Sequence, residues 1–281
     1  MSEGQIFRVA VDAMGGDHAP EETVAGAVEA AREGNVQVGL VGDPTVVQAE
    51  IEKHDTSGLP ILPIESEGFI EEGEQPAIAL RQKPKASVVV ATSLVKKGMA
   101  DGAVTMGSTG GAMAAAAVIL GMMEGIERPA LGGPIVGFAP NTVILDVGSN
   151  VDCRPSQLLS FGVIGDLWAR IFWDVKNPRV SLLSVGSEFG KGNKQVRETS
   201  ELFVHSSGTI GSRRSIDGPC GYLIISRRIS SCRYLMRPLS PSKFVTKAKL
   251  KLLSEIVSTI PARLTTPFND PVLALTRPSA G

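Results

Sequence analysis

Between residues 6 and 204, short apolar runs alternate with longer segments of helical period. IFRVAVDA (6–13) is apolar and rich in β-branched residues, and the turn residues MGGDHAP follow it, which predicts a buried strand. Pro20, Glu21 and Glu22 open a helix that closes at Gly34 with Arg32 in its last turn, a charge order that complements the helix dipole. The pattern then predicts a strand at 35–42, a helix at 44–54, a strand at 59–64, a helix at 83–97 and a strand at 102–106. A glycine-rich turn, Gly107–Gly111, leads into the Ala-rich helix AMAAAAVILGMM. Further on come a strand at 142–147, a helix at 155–173, a strand at 179–185 and a helix at 194–203. Strands alternating with helices predict an α/β fold with a largely parallel, doubly wound sheet covered by helices on both faces. Ligands of such sheets sit beyond the strand C-terminal ends, beside helix N-termini, and four loops of interest fall there.

Composition narrows the function. With 43% hydrophobic and 20% charged residues, the chain of 281 is not a disordered one. Aromatics at 5% and 31 glycines fit small-molecule or phosphate chemistry better than single-stranded nucleic-acid binding. No run of about twenty apolar residues predicts a membrane span. MSEGQIFRVAVDAMGG lacks the basic start and apolar core of a signal peptide, so a cytoplasmic protein is expected. Cys153, Cys220 and Cys232 are scattered, without the spacing of a disulfide framework or a zinc site. The net charge of −1 hides an asymmetry: residues 205–281 carry 12 Lys/Arg and 3 Asp/Glu, leaving 16 basic and 26 acidic groups before them. The texture changes too, to SRRS, SRRISSCR and PLSPS, so a core at 1–204 and a divergent basic region at 205–281 are expected. Such a tail is either an arm for a membrane or nucleic acid, or sequence never selected to fold.

The first loop, Asp12 to Pro20, brings Gly15, Gly16, Asp17 and His18 to a strand-to-helix junction. It is either a backbone cradle for a ligand or a tight turn capped by its own carboxylates. The second loop, Gly107, Ser108, Thr109, Gly110 and Gly111, places successive N–H groups and hydroxyls at a helix start, where an anion is favoured. No Lys follows, so it is not a Walker A loop, and it lacks the dinucleotide fingerprint. A phosphate or phosphopantetheine site and a plain helix cap both fit. The third loop collects Asp146, Asn150, Asp152 and Arg154 around Cys153, a nucleophile candidate without a histidine near it in sequence, or a buried inert thiol. The fourth sets Lys191 between two glycines, before Gly192 and Asn193, either to neutralise a phosphate or as a solvated turn residue.

VAVDAMGGDHAPE (9–21), TMGSTGGAMAAA (105–116), LDVGSNVDCRP (145–155) and NPRVSLLSVGSEFGKGN (177–193), in this order, resemble the PlsX-type phosphate acyltransferases of bacterial phospholipid synthesis. Ser108 stands where that pattern usually has Asn, and its hydroxyl keeps one donor and acceptor capacity. The resemblance implies a homodimer with an isocitrate/isopropylmalate dehydrogenase-like fold and no nicotinamide or metal cofactor. It implies that a long-chain acyl group passes from acyl carrier protein to inorganic phosphate, and that a membrane glycerol-3-phosphate acyltransferase takes the acyl phosphate. It also implies peripheral contact at the inner face of the cell membrane. On that chemistry Lys191 and the Gly107–Gly110 amides hold phosphate, Asn150 and Asn193 polarise the thioester oxygen, and Asp12 or Asp146 orients them.

After about residue 204 the resemblance fails, returning in part at SKFVTKA (242–248). The family's Val-Glu-Gly-Arg and Asp-Gly-Phe segments are replaced by SRRS (212–215) and SRRI (226–229). Written as AGT CGA AGG TCG and CGA CGG ATT, SRRS and RRI give both family segments one base later. One shift recovering two motifs points to a frameshift between roughly 205 and 241. The family's closing Gly-Gly-Ala and His-Gly segments are absent as well, so a sheet strand and part of the catalytic edge are expected to be missing or scrambled. KLKLLSEIVSTIPARLTT resembles the family's membrane-contacting helices, and equally an ordinary surface helix. Three rival functions remain: an oxidoreductase of the same fold class, disfavoured by the missing fingerprint; a catalytically impaired member whose tail binds membranes or acidic partners; and, last, nucleic-acid binding, for which no motif is present.

Overall fold

The computed structural model describes residues 6–134, 142–150, 152–176, 178–183, 192–205, 211–212 and 223–226. They fall into two compact units that divide between Met122 and Met123.

In the first unit β1 (Phe7–Asp12), α1 (Glu21–Glu33), β2 (Val36–Gly42), α2 (Pro44–Ile51) and β3 (Ile61–Glu65) follow one another. Then come α3 (Pro76–Gln82), α4 (Ser87–Lys96), β4 (Gly102–Val104) and α5 (Thr109–Ala115), which runs on as a π-helical turn, Ala116–Leu120. The strands pair in the order β3-β2-β1-β4, every pair parallel. Both faces are covered because both are apolar. Val24, Ala27, Val28 and Ala31 of α1 and Val47 of α2 bury against Val36, Val38 and Leu40 on one face. Ala91 and Leu94 of α4 bury against Ala10 and Val41 on the other. The result is the expected three-layer α/β/α arrangement. α4 starts at Ser87, not Lys83, because Pro84 excludes a helical residue before it and Ala86 is still extended (φ −58°, ψ 148°). α3 was unforeseen; its seven residues are too few to display a period, though Pro76 opens its first turn.

The second unit holds β5 (Gly132–Gly133), β6 (Thr142–Leu145), α6 (Pro155–Trp173), β7 (Arg179–Leu182), α7 (Lys194–His205), β8 (Gly211–Ser212) and β9 (Leu223–Ser226). Its sheet runs β5-β6-β9-β7-β8, and β9 is antiparallel to both β6 and β7. β6 and β7 therefore point the same way, and their C-terminal ends share an edge. Leu158 and Phe161 of α6 and Phe203 of α7 bury against Val143, Leu145, Val180 and Leu182. The divergent segment supplies one strand, β9, in which Ile224 pairs with Ile144 on one side and Ser181 on the other. Four consecutive extended residues, LIIS, supply the ladder even though no family motif lies there.

Candidate functional site

β1 has β2 on one side and β4 on the other, so the chain order reverses between β1 and β4. Loops leaving two such strands diverge to opposite faces and open a crevice at the sheet's C-terminal edge, the usual ligand position in open α/β sheets. The first two candidate loops leave those two strands.

Asp12 ends β1 and is 2% exposed. Its Oδ1 accepts from the N–H groups of Met14 (3.1 Å) and Gly15 (3.0 Å), and its Oδ2 accepts from the Thr105 hydroxyl at 2.7 Å. Thr105 Oγ1 in turn accepts from the Gly107 N–H at 3.1 Å. Gly15 has to be glycine, because a Cβ there would stand 2.5 Å from Asp12 Oδ2 and 2.9 Å from Thr105 Oγ1. Gly16, at φ +125°, lies against Met106. Ser108 caps α5: its Oγ accepts from Gly111 N–H at 3.2 Å. Among the described residues no protein acceptor takes the N–H groups of Ser108, Thr109 or Gly110, and Thr109 and Gly110 are exposed. Asp17 and His18 are exposed on the outer part of the first loop. The fold thus unites Asp12, Gly15, Gly16, Gly107 and Ser108, and it gives the Gly107 amide a bracing duty. Thr105 was given no role, although it opens the segment TMGSTGGAMAAA, because a threonine at a strand end does not by itself reveal a partner 93 residues away.

In the second unit Asp146, 3% exposed, follows β6. Oδ1 accepts from Leu131 N, Ser149 N and Ser149 Oγ, and Oδ2 from Asn150 N (2.7 Å) and Asn150 Nδ2 (2.8 Å). Burial pushes this carboxyl up, but the hydrogen bonds from Ser149, Asn150 and Leu131 outweigh it and hold it below the usual aspartate range. Asn150 Nδ2 also donates to Ser149 Oγ and to Pro129 O, in the segment before β5, so its N–H groups are engaged, while Arg128 approaches its Oδ1 at 3.4 Å. Burial, with the charges of Asp146 and Asp152 against that of Arg128, pushes the Cys153 thiol up, and its S–H donates to Asn150 O at 3.6 Å. That is an inert thiol, not an activated nucleophile. Gln195 of α7 donates to Cys153 O, tying α7 to this loop. Asn193 caps α7 through Val196 N–H at 2.9 Å, Gly192 has φ +106°, and Asp152 is exposed. Lys191 lies outside the described residues, as do most of 205–281. Among the described residues there is no group of acidic, His or Cys side chains fit to hold a metal, and no helix is long and apolar enough to cross a membrane.

Fold and loops define a three-layer α/β protein with a glycine-lined loop pair at its topological switch point. A family model described as "Fatty acid synthesis protein" matches residues 7–213. The chain belongs to that family. It is 48% identical over 197 residues to a phosphate acyltransferase from Acaryochloris marina, covering 69% of this chain and 57% of the relative. It is 46% identical over 208 residues to one from Syntrophomonas wolfei, covering 72% and 64%. The chain thus spans about three fifths of the length of these relatives. Two solved structures share the fold: a phosphotransacetylase from Streptococcus pyogenes (TM-score 0.51, 18% identity, 75% of this chain and 69% of that one) and the EutD phosphotransacetylase from Staphylococcus aureus (0.51, 17%, 76% and 69%).

Proposed function

We propose that the chain carries the site of a phosphate acyltransferase that moves a long-chain acyl group from acyl carrier protein to inorganic phosphate. The observation that carries this is the braced loop pair at the switch point, with the amides of Ser108, Thr109 and Gly110 left for an anion. The names of the relatives support it. A phosphate oxygen attacks the thioester carbonyl, a C–O bond forms, the C–S bond breaks, and the carrier thiol takes up the proton that phosphate gives up. Phosphate being the nucleophile, no protein nucleophile is called for, which agrees with a Cys153 thiol held protonated.

In this scheme Lys191 and Gly192 meet the phosphate charge and the Asn193 amide N–H polarises the thioester oxygen. Asn150, with its amide engaged, joins Asp12 and Asp146 in positioning, and Gly15, Gly16, Asp17, His18 and Asp152 shape the substrate side. The active form is a homodimer in the cytoplasm at the inner face of the membrane, handing acyl phosphate to a glycerol-3-phosphate acyltransferase. The test is phosphate-dependent release of carrier-protein thiol by the full chain, beside a version with 205–241 restored to the family frame. Release that requires phosphate and falls in Lys191→Ala supports the proposal; release indifferent to phosphate overturns it.

A second function is favoured by one observation: the family match stops at residue 213, and a net charge of +9 lies in 205–281. It is a catalytically impaired member whose basic tail binds anionic membranes. Salt-sensitive vesicle binding without turnover, beside an active restored version, is its signature.

A further inference from the structure

We infer that Thr105 is the positioning residue of the anion cradle: its hydroxyl couples the buried Asp12 carboxylate to the Gly107 amide and so sets the direction of the amides that follow. This rests on the phosphate-binding function proposed above and gives a role to a residue that the motif TMGSTGGAMAAA includes but to which the sequence alone assigned none.

A hydroxyl has one proton to give and two lone pairs to offer. The Thr105 hydroxyl gives its proton to Asp12 Oδ2 at 2.7 Å. What meets the Gly107 N–H at 3.1 Å is therefore a lone pair whose direction is already fixed. Asp12 Oδ1 is occupied by Met14 and Gly15 of the first loop. Among the described contacts the carboxylate thus orders the first loop directly and the second only through Thr105. The space leaves little freedom for another arrangement: a Cβ on Gly15 would come within 2.9 Å of Thr105 Oγ1, and one on Gly107 within 3.0 Å of the Gly15 Cα. Removing the hydroxyl orphans both a buried carboxylate oxygen and the amide that leads into Ser108, Thr109 and Gly110.

The test is a titration of inorganic phosphate into the ¹⁵N-labelled full chain, following the amide resonances of Gly107 to Gly110. In the wild type and in Thr105→Ser, phosphate should shift Ser108, Thr109 and Gly110 with equal affinity. Thr105→Val and the smaller Thr105→Ala should retain dispersed spectra, show a displaced Gly107 resonance before phosphate is added, and bind phosphate about tenfold more weakly. If Thr105→Val does not fold, Thr105→Ala carries the comparison. Unchanged phosphate affinity in a folded hydroxyl-free variant overturns the role of Thr105 while leaving the phosphate site standing. A wild type that shows no response at Ser108 to Gly110 overturns the site, and this inference with it.

Discussion

Gly15 and Gly107 meet backbone to backbone, so that a Cβ on Gly107 would stand 3.0 Å from the Gly15 Cα. The contact joins the loop after β1 to the loop after β4 without a side chain between them. Gly15→Ala would also drive its methyl group to 2.5 Å from Asp12 Oδ2. It should cost about 1–3 kcal/mol of stability by overpacking and weaken phosphate binding. Gly102→Ala, where a Cβ meets nothing within 4 Å, is the control and should be near neutral. Thermal midpoints of the two variants measured side by side check this; equal midpoints would show that the loops are not in close contact.

Asp146 gives a pH dependence of definite sign. Its folded carboxyl titrates below the ordinary aspartate range, because five N–H and O–H donors outweigh the cost of burial. A depressed folded value means the stabilisation is complete above the unfolded value, about pH 4, and is lost as pH falls through the folded one. Asp146→Asn turns an amide donor toward those donors and should cost about 1–3 kcal/mol at neutral pH. The gap between wild type and variant should close on acidification. A gap that stays constant down to acid pH would remove Asp146 from this role.

The first unit was largely legible because its strands and helices are long enough to show their periods, and because β1 and β4 end in glycine-rich turns. What the sequence did not show was contact across distance. Thr105 and Asp12 are 93 residues apart, and although Thr105 opens the segment TMGSTGGAMAAA, nothing in the sequence pairs it with Asp12. Asn150 was expected to polarise the thioester oxygen, and nothing in its sequence surroundings showed that folding turns its amide onto Asp146 and Pro129. β9 was hidden for a different reason: LIIS sits among arginines and serines, and its pairing with β6 and β7 is a long-range property of the sheet.

Cys153 should be chemically quiet. Burial and the neighbouring Asp146 and Asp152 charges raise its thiol above the ordinary value of about 8.5, so at pH 7 it is almost wholly protonated. Iodoacetamide should label Cys153 more slowly in the native chain than in the unfolded one, as followed by peptide mass mapping. Cys153→Ser should leave phosphate-dependent thiol release unchanged. Rapid native labelling together with loss of turnover in Cys153→Ser would restore the nucleophile.

Asn193 has two separable duties. Its Oδ1 caps α7 through Val196 N–H, and a cap is worth about 0.5–2 kcal/mol. Asn193→Ala should lose that stability, whereas Asn193→Asp keeps the acceptor and should match the wild-type melting temperature. If the amide N–H polarises the thioester, Asn193→Asp should still lose turnover while folding normally. An Asn193→Asp chain that is both stable and fully active would reduce Asn193 to a cap.

The central position of β9 makes a stringent demand on a segment that departs from the family's sequence. Ile224 lies between Ile144 and Ser181, with a strand on either side, so its backbone is inside the ladder and not at an edge. Proline there removes an N–H and wedges a ring between paired strands, which central strands do not tolerate. Ile224→Pro should therefore lose at least the worth of a ladder hydrogen bond and its orphaned partner, about 1–3 kcal/mol. The loss should be local. Limited proteolysis should open the region after Met123 first, while the parallel sheet of residues 7–104 stays protected longer. The same digestion on a version with 205–241 restored to the family frame completes the argument. Greater protection there, with Ile224→Pro in the original frame losing protection relative to its parent, means that the divergent segment does pair but pairs more weakly than the restored one. An Ile224→Pro chain as resistant as its parent would mean that 223–226 contributes nothing to holding β6 and β7 together.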